Sequence, residues 1–295
     1  MTSFPKMKIP KKELLNGFTL PMLSMGTWMI GGGATRDPEC DEDLAVESIR
    51  SGIHAGITCI DTAEIYAAGF TEQLIGRAIK NFPRKELQLI SKVSPKNLRY
   101  SDVFQSVELS LDRLQIDYLD VYLIHKPNPN IPLKETMRAM KDLREQGIVH
   151  EIGVSNFSMG TLHKAQKHLG FPIVLDQVHY NLMFREPEIS GLLDYCREND
   201  IFVMAWRPLE KGALAADSPD IIKKLSEKYN RTPAQVIINW LLSQDNVVTL
   251  STMRRERNLR ENLGAVGWAL EAADIEELRK AFPNQKKVSN REPLL

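Results

Sequence analysis

Four polar residues close four apolar runs at nearly constant intervals, and this spacing restricts the fold more than any other feature of the chain. Asp61 ends the run Gly56-Ile57-Thr58-Cys59-Ile60, and Lys92 falls in Leu89-Ile90-Ser91-Lys92-Val93. His125 ends Leu119-Asp120-Val121-Tyr122-Leu123-Ile124, and Ser155 follows the run from Ile148 to Val154. The steps from 61 to 92, 92 to 125 and 125 to 155 are 31, 33 and 30 residues, close to the ~30 of a strand-helix-strand unit. Each polar residue then marks the end of one parallel strand. In a closed barrel those carboxyl ends converge on one face, where barrel enzymes hold their chemistry.

The rest of the chain fits the same alternation. Ala45, Ile49 and Ile53 recur every four residues, and Phe104, Val107, Leu111 and Leu114, then Leu133, Met137, Met140 and Leu143, recur every three or four, the spacing of helices with one buried face. Further apolar runs at 173–178, 201–206 and 247–250 bring the strands to about eight, and such alternation specifies a parallel sheet. Met25-Gly26-Thr27-Trp28 reads as the first barrel strand ending at Trp28, followed by a flexible Gly31-Gly32-Gly33 connection. Asn16-Gly17 is a turn between apolar neighbours, the mark of a hairpin. Ser218-Pro219 and Thr232-Pro233 each put a cap residue before a proline suited to a first helical turn. The expected architecture is an α/β fold, a (β/α)8 TIM barrel with an N-terminal β-hairpin capping its floor, in one domain over residues 1–295. Only the ends, to about Lys12 and after Phe282, read as loose.

Lys plus Arg and Asp plus Glu both number 38, so no global field draws the chain to nucleic acid or anionic lipid. The odd set Cys40, Cys59 and Cys196 implies reduced thiols. The start has no apolar signal region, and no run approaches the ~20 residues of a membrane span. The expectation is a cytoplasmic protein, monomeric or a weak homo-oligomer. His54, His150, His163, His168 and His179 show no ligand spacing with Cys or carboxylates, and no metal is expected. Gly31-Gly32-Gly33 is not a dinucleotide fingerprint, since Arg36 stands where a third spaced glycine is needed. Phe157 likewise breaks a nucleophile elbow at Gly153-Val154-Ser155.

Singly, each candidate has an ordinary reading: Asp61 a helix cap, Tyr66 packing, Lys92 a surface charge, His125 a core histidine. Together they make a chemical device. A free tyrosine titrates near ~10, so Tyr66, five residues after Asp61, needs help to act as an acid. Lys92 would stabilise its phenolate and lower that value, with Asp61 keeping the lysine charged. His125, as neutral imidazole, would bond the same substrate oxygen. This set protonates a carbonyl oxygen while something else attacks the carbon. With no placed cysteine or serine nucleophile, a nicotinamide cofactor suits the need for hydride.

In order and spacing, DTAEIY with GFTE, LISKV, LIHKP, GVSNF, LDQVHYN and AWRPLEKG resemble the aldo-keto reductases over nearly the whole chain. The resemblance implies an (α/β)8 barrel, NADPH-dependent carbonyl reduction and a catalytic tetrad at Asp61, Tyr66, Lys92 and His125. It implies a nicotinamide carboxamide held by Ser155, Asn156 and Gln177 and stacked on Trp206. It puts Thr27, Trp28, Asp61 and Arg207 around the cofactor, and Leu209, Lys211 and Gly212 over the pyrophosphate. Arg254, Arg255, Asn258, Glu261 and Asn262 fall on the adenosine side, where a guanidinium fork suits a 2′-phosphate. The substrate, a small carbonyl compound, would meet Trp28, Tyr66, His125 and Lys126. The chain departs from the family at Arg207, where serine is usual, at Lys126, often tryptophan, and at Ala67, commonly glycine. It also reads Leu250-Ser251-Thr252-Met253 where many members carry a phosphate-binding lysine. Lys126 and Arg207 hint at an anionic or polar substrate. Two other functions are compatible with such a barrel: a lyase using Lys92 as a Schiff base, and a cofactor-loaded redox-sensing module.

Overall fold

In the computed structural model, which describes residues 6–282 and 285–295, a short antiparallel hairpin of β1 (Lys11–Glu13) and β2 (Thr19–Pro21) precedes eight parallel strands. These are β3 (Leu23–Gly26), β4 (Cys59–Asp61), β5 (Gln88–Val93), β6 (Leu119–Ile124), β7 (Val149–Ser155), β8 (Leu175–His179), β9 (Phe202–Trp206) and β10 (Val247–Ser251). Neighbours follow chain order and β10 pairs with both β9 and β3, so the sheet closes. The (β/α)8 barrel expected from the spacing is the fold observed.

Helices fill the crossovers: α1 (Glu42–His54), α2 (Phe70–Ile79), α3 (Tyr100–Leu114), α4 (Leu133–Glu145) and α5 (Met159–Leu169), then α6 (Glu186–Ile189) and α7 (Leu192–Glu198). After β9 come α8 (Ala213–Ala216), α9 (Asp220–Tyr229) and α10 (Pro233–Leu242), and after β10 come α11 (Glu256–Leu263) and α12 (Ala272–Ala281). The predicted stripes face inward: Val107 and Leu114 of α3, and Met137, Met140 and Leu143 of α4, are buried. Thr232 caps α10 in a reciprocal box with Gln235, and Pro233 opens that helix. Ser218 departs from expectation: its hydroxyl donates to the Leu214 and Ala215 carbonyls, leaving Pro219 at the N-cap of α9.

Inside the barrel, Ile90, Val121, Leu123, Leu175, Phe202, Met204 and Val248 pack with Leu14 and Leu20 of the hairpin. The hairpin thus plugs the floor with apolar side chains, and the barrel is a packed core with its chemistry at the other end. Lys12 fixes the plug: its ammonium donates to the carbonyls of Leu242 and Val247 at 2.8 Å and to that of Gln244. Residues before Lys12 are held as well, since the Met7 amide donates to the Ala55 carbonyl.

Strand β3 ends at Gly26, so Trp28 stands in the following turn rather than on the strand. The Gly31-Gly32-Gly33 connection is pinned, not free. Asp37 donates to the Gly31 carbonyl, Ala67 to that of Gly33, and the Thr71 hydroxyl to that of Ile30. Glycine is required at 32: at φ +132°, an added Cβ would stand 2.3 Å from the Thr35 carbonyl oxygen.

Candidate active site

Strand register brings the distant polar residues together. Asp61 pairs with Gly26 on one side and Ile90 on the other, Lys92 with Leu123, and Ser155 with Gln177. The Lys92 ammonium, buried with Asp61, donates to both carboxylate oxygens at 2.8 Å and to the Thr62 carbonyl at 2.7 Å. It also lies 3.4 Å from the Tyr66 hydroxyl. The Tyr66 ring stands edge-on between Trp28, centroids 5.0 Å apart, and His125, 5.8 Å away. In that arrangement the phenol oxygen accepts from Lys92, while its own proton has no acceptor among the described residues.

The electrostatics follow from burial. Burial disfavours the Lys92 ammonium, yet the charge and hydrogen bonds of Asp61, with those of Tyr66, outweigh it and hold the lysine above its ordinary value. Burial also raises Tyr66 above the ordinary phenol value, and the opposing pull of Lys92 does not offset this. The sequence reading had Lys92 lowering Tyr66. That pull is present, but the phenol sits out of water and Asp61 adds its own push upward, so the net shift runs the other way. Burial, then Lys92, then Lys126 bring His125 down to about 3, so its imidazole is neutral. Its Nδ1 is buried without a partner among the described residues.

A second network adjoins the first. The Ser155 hydroxyl donates to the Gln177 carbonyl at 2.7 Å, and the Asn156 side-chain amide donates to the His125 carbonyl at 3.1 Å and to Ser155 Oγ at 2.9 Å. Gln177 Nε2 donates to Asp61 Oδ1 at 2.8 Å, joining the amide cluster directly to the lysine-carboxylate pair. Its Oε1 has no partner among the described residues and is free to accept from a ligand amide. Trp206 reaches Asn156 Oδ1 with its indole N–H at 3.3 Å. Thr27 is buried, its hydroxyl donating to the Asp61 carbonyl at 2.8 Å, so it braces that strand end.

Sequence reasoning weighed His179 only as a metal ligand and gave it no place in the site. It ends β8 as Lys92 and His125 end or near the ends of theirs, so the same rule would have found it. Its ring stacks on Trp206, centroids 4.3 Å apart at 11°, and bonds Ser289 Oγ at 2.8 Å and Glu210 at 2.5 Å. Glu210 also accepts from Asn181 at 3.0 Å and lies 3.7 Å from Arg207. Burial would raise this carboxyl, but His179 and then Arg207 bring it below its ordinary value. Arg207 is therefore balanced by a carboxylate. Lys126 is too, at 3.1 Å from Glu292. The sequence had pointed from these two cations to an anionic or polar substrate, but the folded chain supplies each with a carboxylate of its own.

Leu209, Lys211 and Gly212 form a tight turn after β9, with Lys211 and Gly212 left-handed at φ +58° and +94°. Met29, Ala67, Ala68, Asn156, Arg207 and Glu210 are also left-handed, a concentration of costly backbone on the mouth loops. Across the face, Arg255 occupies the N-cap of α11, with Arg254 exposed before it and Asn258 half-buried within it. Arg254 donates to the Met29 carbonyl at 3.1 Å, tying this region to the Trp28 turn. Asn262 is buried and bonds Ser251 Oγ at 3.0 Å; Glu261, through its carbonyl, accepts from Gln235. These two serve the frame of α11 in this structure. Among the described residues no cluster of His, Cys, Asp and Glu is arranged to hold a metal ion, and no helix is long and apolar enough to cross a membrane.

A parallel barrel carrying a buried lysine-carboxylate pair, a phenol and a neutral imidazole at the carboxyl ends of its strands has the makings of a carbonyl-reducing enzyme. The model of the Aldo/keto reductase family matches residues 22–282, and the chain belongs to that family of NAD(P)H-dependent oxidoreductases. Among curated relatives, it is 32% identical to glyoxal reductase of Bacillus subtilis (strain 168), over 96% of each chain. It is 31% identical to methylglyoxal reductase YeaE of Escherichia coli (strain K12), over 91% of this chain and 93% of that one. A thermostable aldo-keto reductase crystallised with the inhibitor epalrestat superposes with a TM-score of 0.89 at 42% identity, covering 92% of this chain and 98% of that one. An aldo/keto reductase from Klebsiella pneumoniae in complex with NADP and acetate gives 0.84 at 29% identity, covering 98% of this chain and all of the other.

Proposed function

We propose that the chain reduces small aldehydes and ketones to alcohols with NADPH, Tyr66 delivering the proton. The observation that carries this reading is the unspent Tyr66 proton, set beside a charged lysine and a neutral imidazole in one cluster. The residues fit the cofactor. Gln177 Oε1, with Ser155 and Asn156 beside it, suits a carboxamide; Trp206, backed by His179, offers an aromatic face; the Leu209-Lys211-Gly212 turn puts the Lys211 cation at hand for a pyrophosphate, the Gly212 amide being bonded to the Leu209 carbonyl. Arg255 at the start of α11 suits the 2′-phosphate, Arg254 having one N–H already engaged. Structural relatives crystallised with NADP and NADPH support the same choice.

When bound, the dihydronicotinamide supplies a hydride to the carbonyl carbon. The carbonyl oxygen accepts hydrogen bonds from Tyr66 and His125, and Trp28 walls the same space. As charge builds on that oxygen, Tyr66 gives up its proton, and the Lys92 ammonium faces the phenolate left behind. Asp61 keeps Lys92 charged, and Gln177 ties that carboxylate to the cofactor residues. Aldehyde, NADPH and one proton thus yield alcohol and NADP+, with the proton regained by Tyr66 from solvent. Glyoxal and methylglyoxal, named for two relatives, are the first substrates to try. A Schiff base on Lys92 needs an uncharged amine, which its three close oxygens oppose.

The test is cofactor oxidation across a panel of aldehydes, ketones and sugars, with Tyr66→Phe alongside. The variant is expected to bind NADPH normally and lose about 100-fold or more in turnover. Near-normal turnover by the variant sinks the assignment of Tyr66, and a wild type inactive on the whole panel with tight NADP retention favours the redox-sensing module.

A further inference from the structure

The C-terminal segment crosses the mouth of the site under restraint. Glu186, itself mostly buried, accepts from the Ser289 amide through Oε2 at 2.7 Å and from the Leu294 amide through Oε1 at 3.2 Å. The Ser289 hydroxyl meets His179 behind Trp206. The Leu295 amide donates to the Asn156 carbonyl at 3.2 Å, and its carbonyl accepts from the Ser158 amide at 2.6 Å. Glu292 lies between these anchors, its own amide bonded to Ser289 Oγ at 3.2 Å. Its backbone is therefore tethered beside the mouth, and both carboxylate oxygens face the Lys126 ammonium, at 3.1 and 3.4 Å.

Lys126 directly follows His125, and its positive charge is felt at that imidazole. A cation at this place would attract a substrate carboxylate, yet the chain already supplies one. We propose that Glu292 acts as a built-in carboxylate that occupies Lys126 and biases the enzyme against carbonyl substrates carrying a carboxylate of their own. An anionic substrate must displace Glu292 or approach it against like-charge repulsion, whereas an uncharged aldehyde meets a neutral pair. Glu292 is thereby a specificity-determining residue, and neutralising it opens Lys126 to the anion. The inference rests on the carbonyl-reductase reading of the site.

The experiment compares kcat/KM for succinic semialdehyde and butanal, one anionic and one neutral four-carbon aldehyde, in wild type, Glu292→Gln and the Glu292→Gln/Lys126→Met double variant. Glu292→Gln is expected to raise the succinic semialdehyde to butanal ratio about tenfold, the scale of one hydrogen bond to a charged group. The double variant is expected to lose that gain. Raised salt should narrow the wild-type discrimination, because the pair is half-exposed. An unchanged ratio in Glu292→Gln, an equal rise for both aldehydes, or a gain that survives loss of Lys126 overturns the inference while leaving the reductase reading intact. A wild type that reduces neither aldehyde nor any other carbonyl overturns both.

Discussion

His125 carries a consequence beyond its place beside Tyr66. Above pH ~6.5 its imidazole is neutral in both folded and unfolded chains, so it contributes nothing to the pH dependence of stability. Below that, the unfolded chain takes up a proton that the folded protein, with this group down at about 3, refuses. Stability is therefore lost as pH falls from 6.5 toward 3. Between pH 8 and pH 5 the loss from this one residue comes to about 2 kcal/mol. Chemical denaturation at the two pH values should show His125→Gln losing less than wild type by about that amount. Equal pH dependence in the two proteins would remove the case for a buried neutral imidazole. Ala67 is the other telling residue: it sits at φ +49° directly after Tyr66, where the family's glycine would be free of strain.

The loop holding Tyr66 is set by α2 and α3 acting on β5. Glu72, fully buried on α2, accepts from the Ser91 hydroxyl at 2.6 Å and from Arg113 of α3 at 2.7 Å. Ser91 immediately precedes Lys92, and Arg113 packs so closely on Gly69, at the end of the Tyr66 loop, that a Cβ there would lie 2.8 Å from its side chain. One buried carboxylate thus links the strand bearing the lysine to the loop bearing the tyrosine. Removing its charge leaves Arg113 largely buried without its counter-ion. We expect Glu72→Gln to cost about 3 kcal/mol in denaturant unfolding. A loss within a few tenths of a kcal/mol would mean that solvent already satisfies Arg113.

Across the whole molecule, the proposed cofactor site joins three regions at the carboxyl ends of the strands: the Ser155-Asn156-Gln177 amides, the turn after β9, and the start of α11. Arg255→Met should weaken NADPH binding by tenfold or more, the worth of a charge-assisted phosphate contact, while leaving NADH binding unchanged. Titration calorimetry with both nucleotides reads this directly, and equal losses for the two would move the 2′-phosphate elsewhere. At the opposite face, the hairpin's Leu14 and Leu20 complete the interior, so the floor stabilises while the rim does chemistry.

By itself the sequence determined the barrel and which polar residues stand at its strand ends, because both depend on periodicity. A residue that ends a strand is placed by counting, and Asp61, Lys92 and His125 lie one strand-helix unit apart. Counting also finds cap residues such as Thr232, though not Ser218, whose hydroxyl turns back to carbonyls of the preceding helix. Only the tertiary structure decided who neutralises whom. Glu292 faces Lys126 from 166 residues away, and Glu210 meets His179 from 31. Gln177 reaches Asp61 from 116. Glu292 and Glu210 come from a terminal segment and a loop with no repeat to announce them, and Gln177, though on a strand, meets Asp61 across the barrel, because electrostatic pairing depends on distance in space. The same is true of Tyr66: its neighbours were legible, but the balance between burial and a lysine already engaged by Asp61 exists only once the chain has folded.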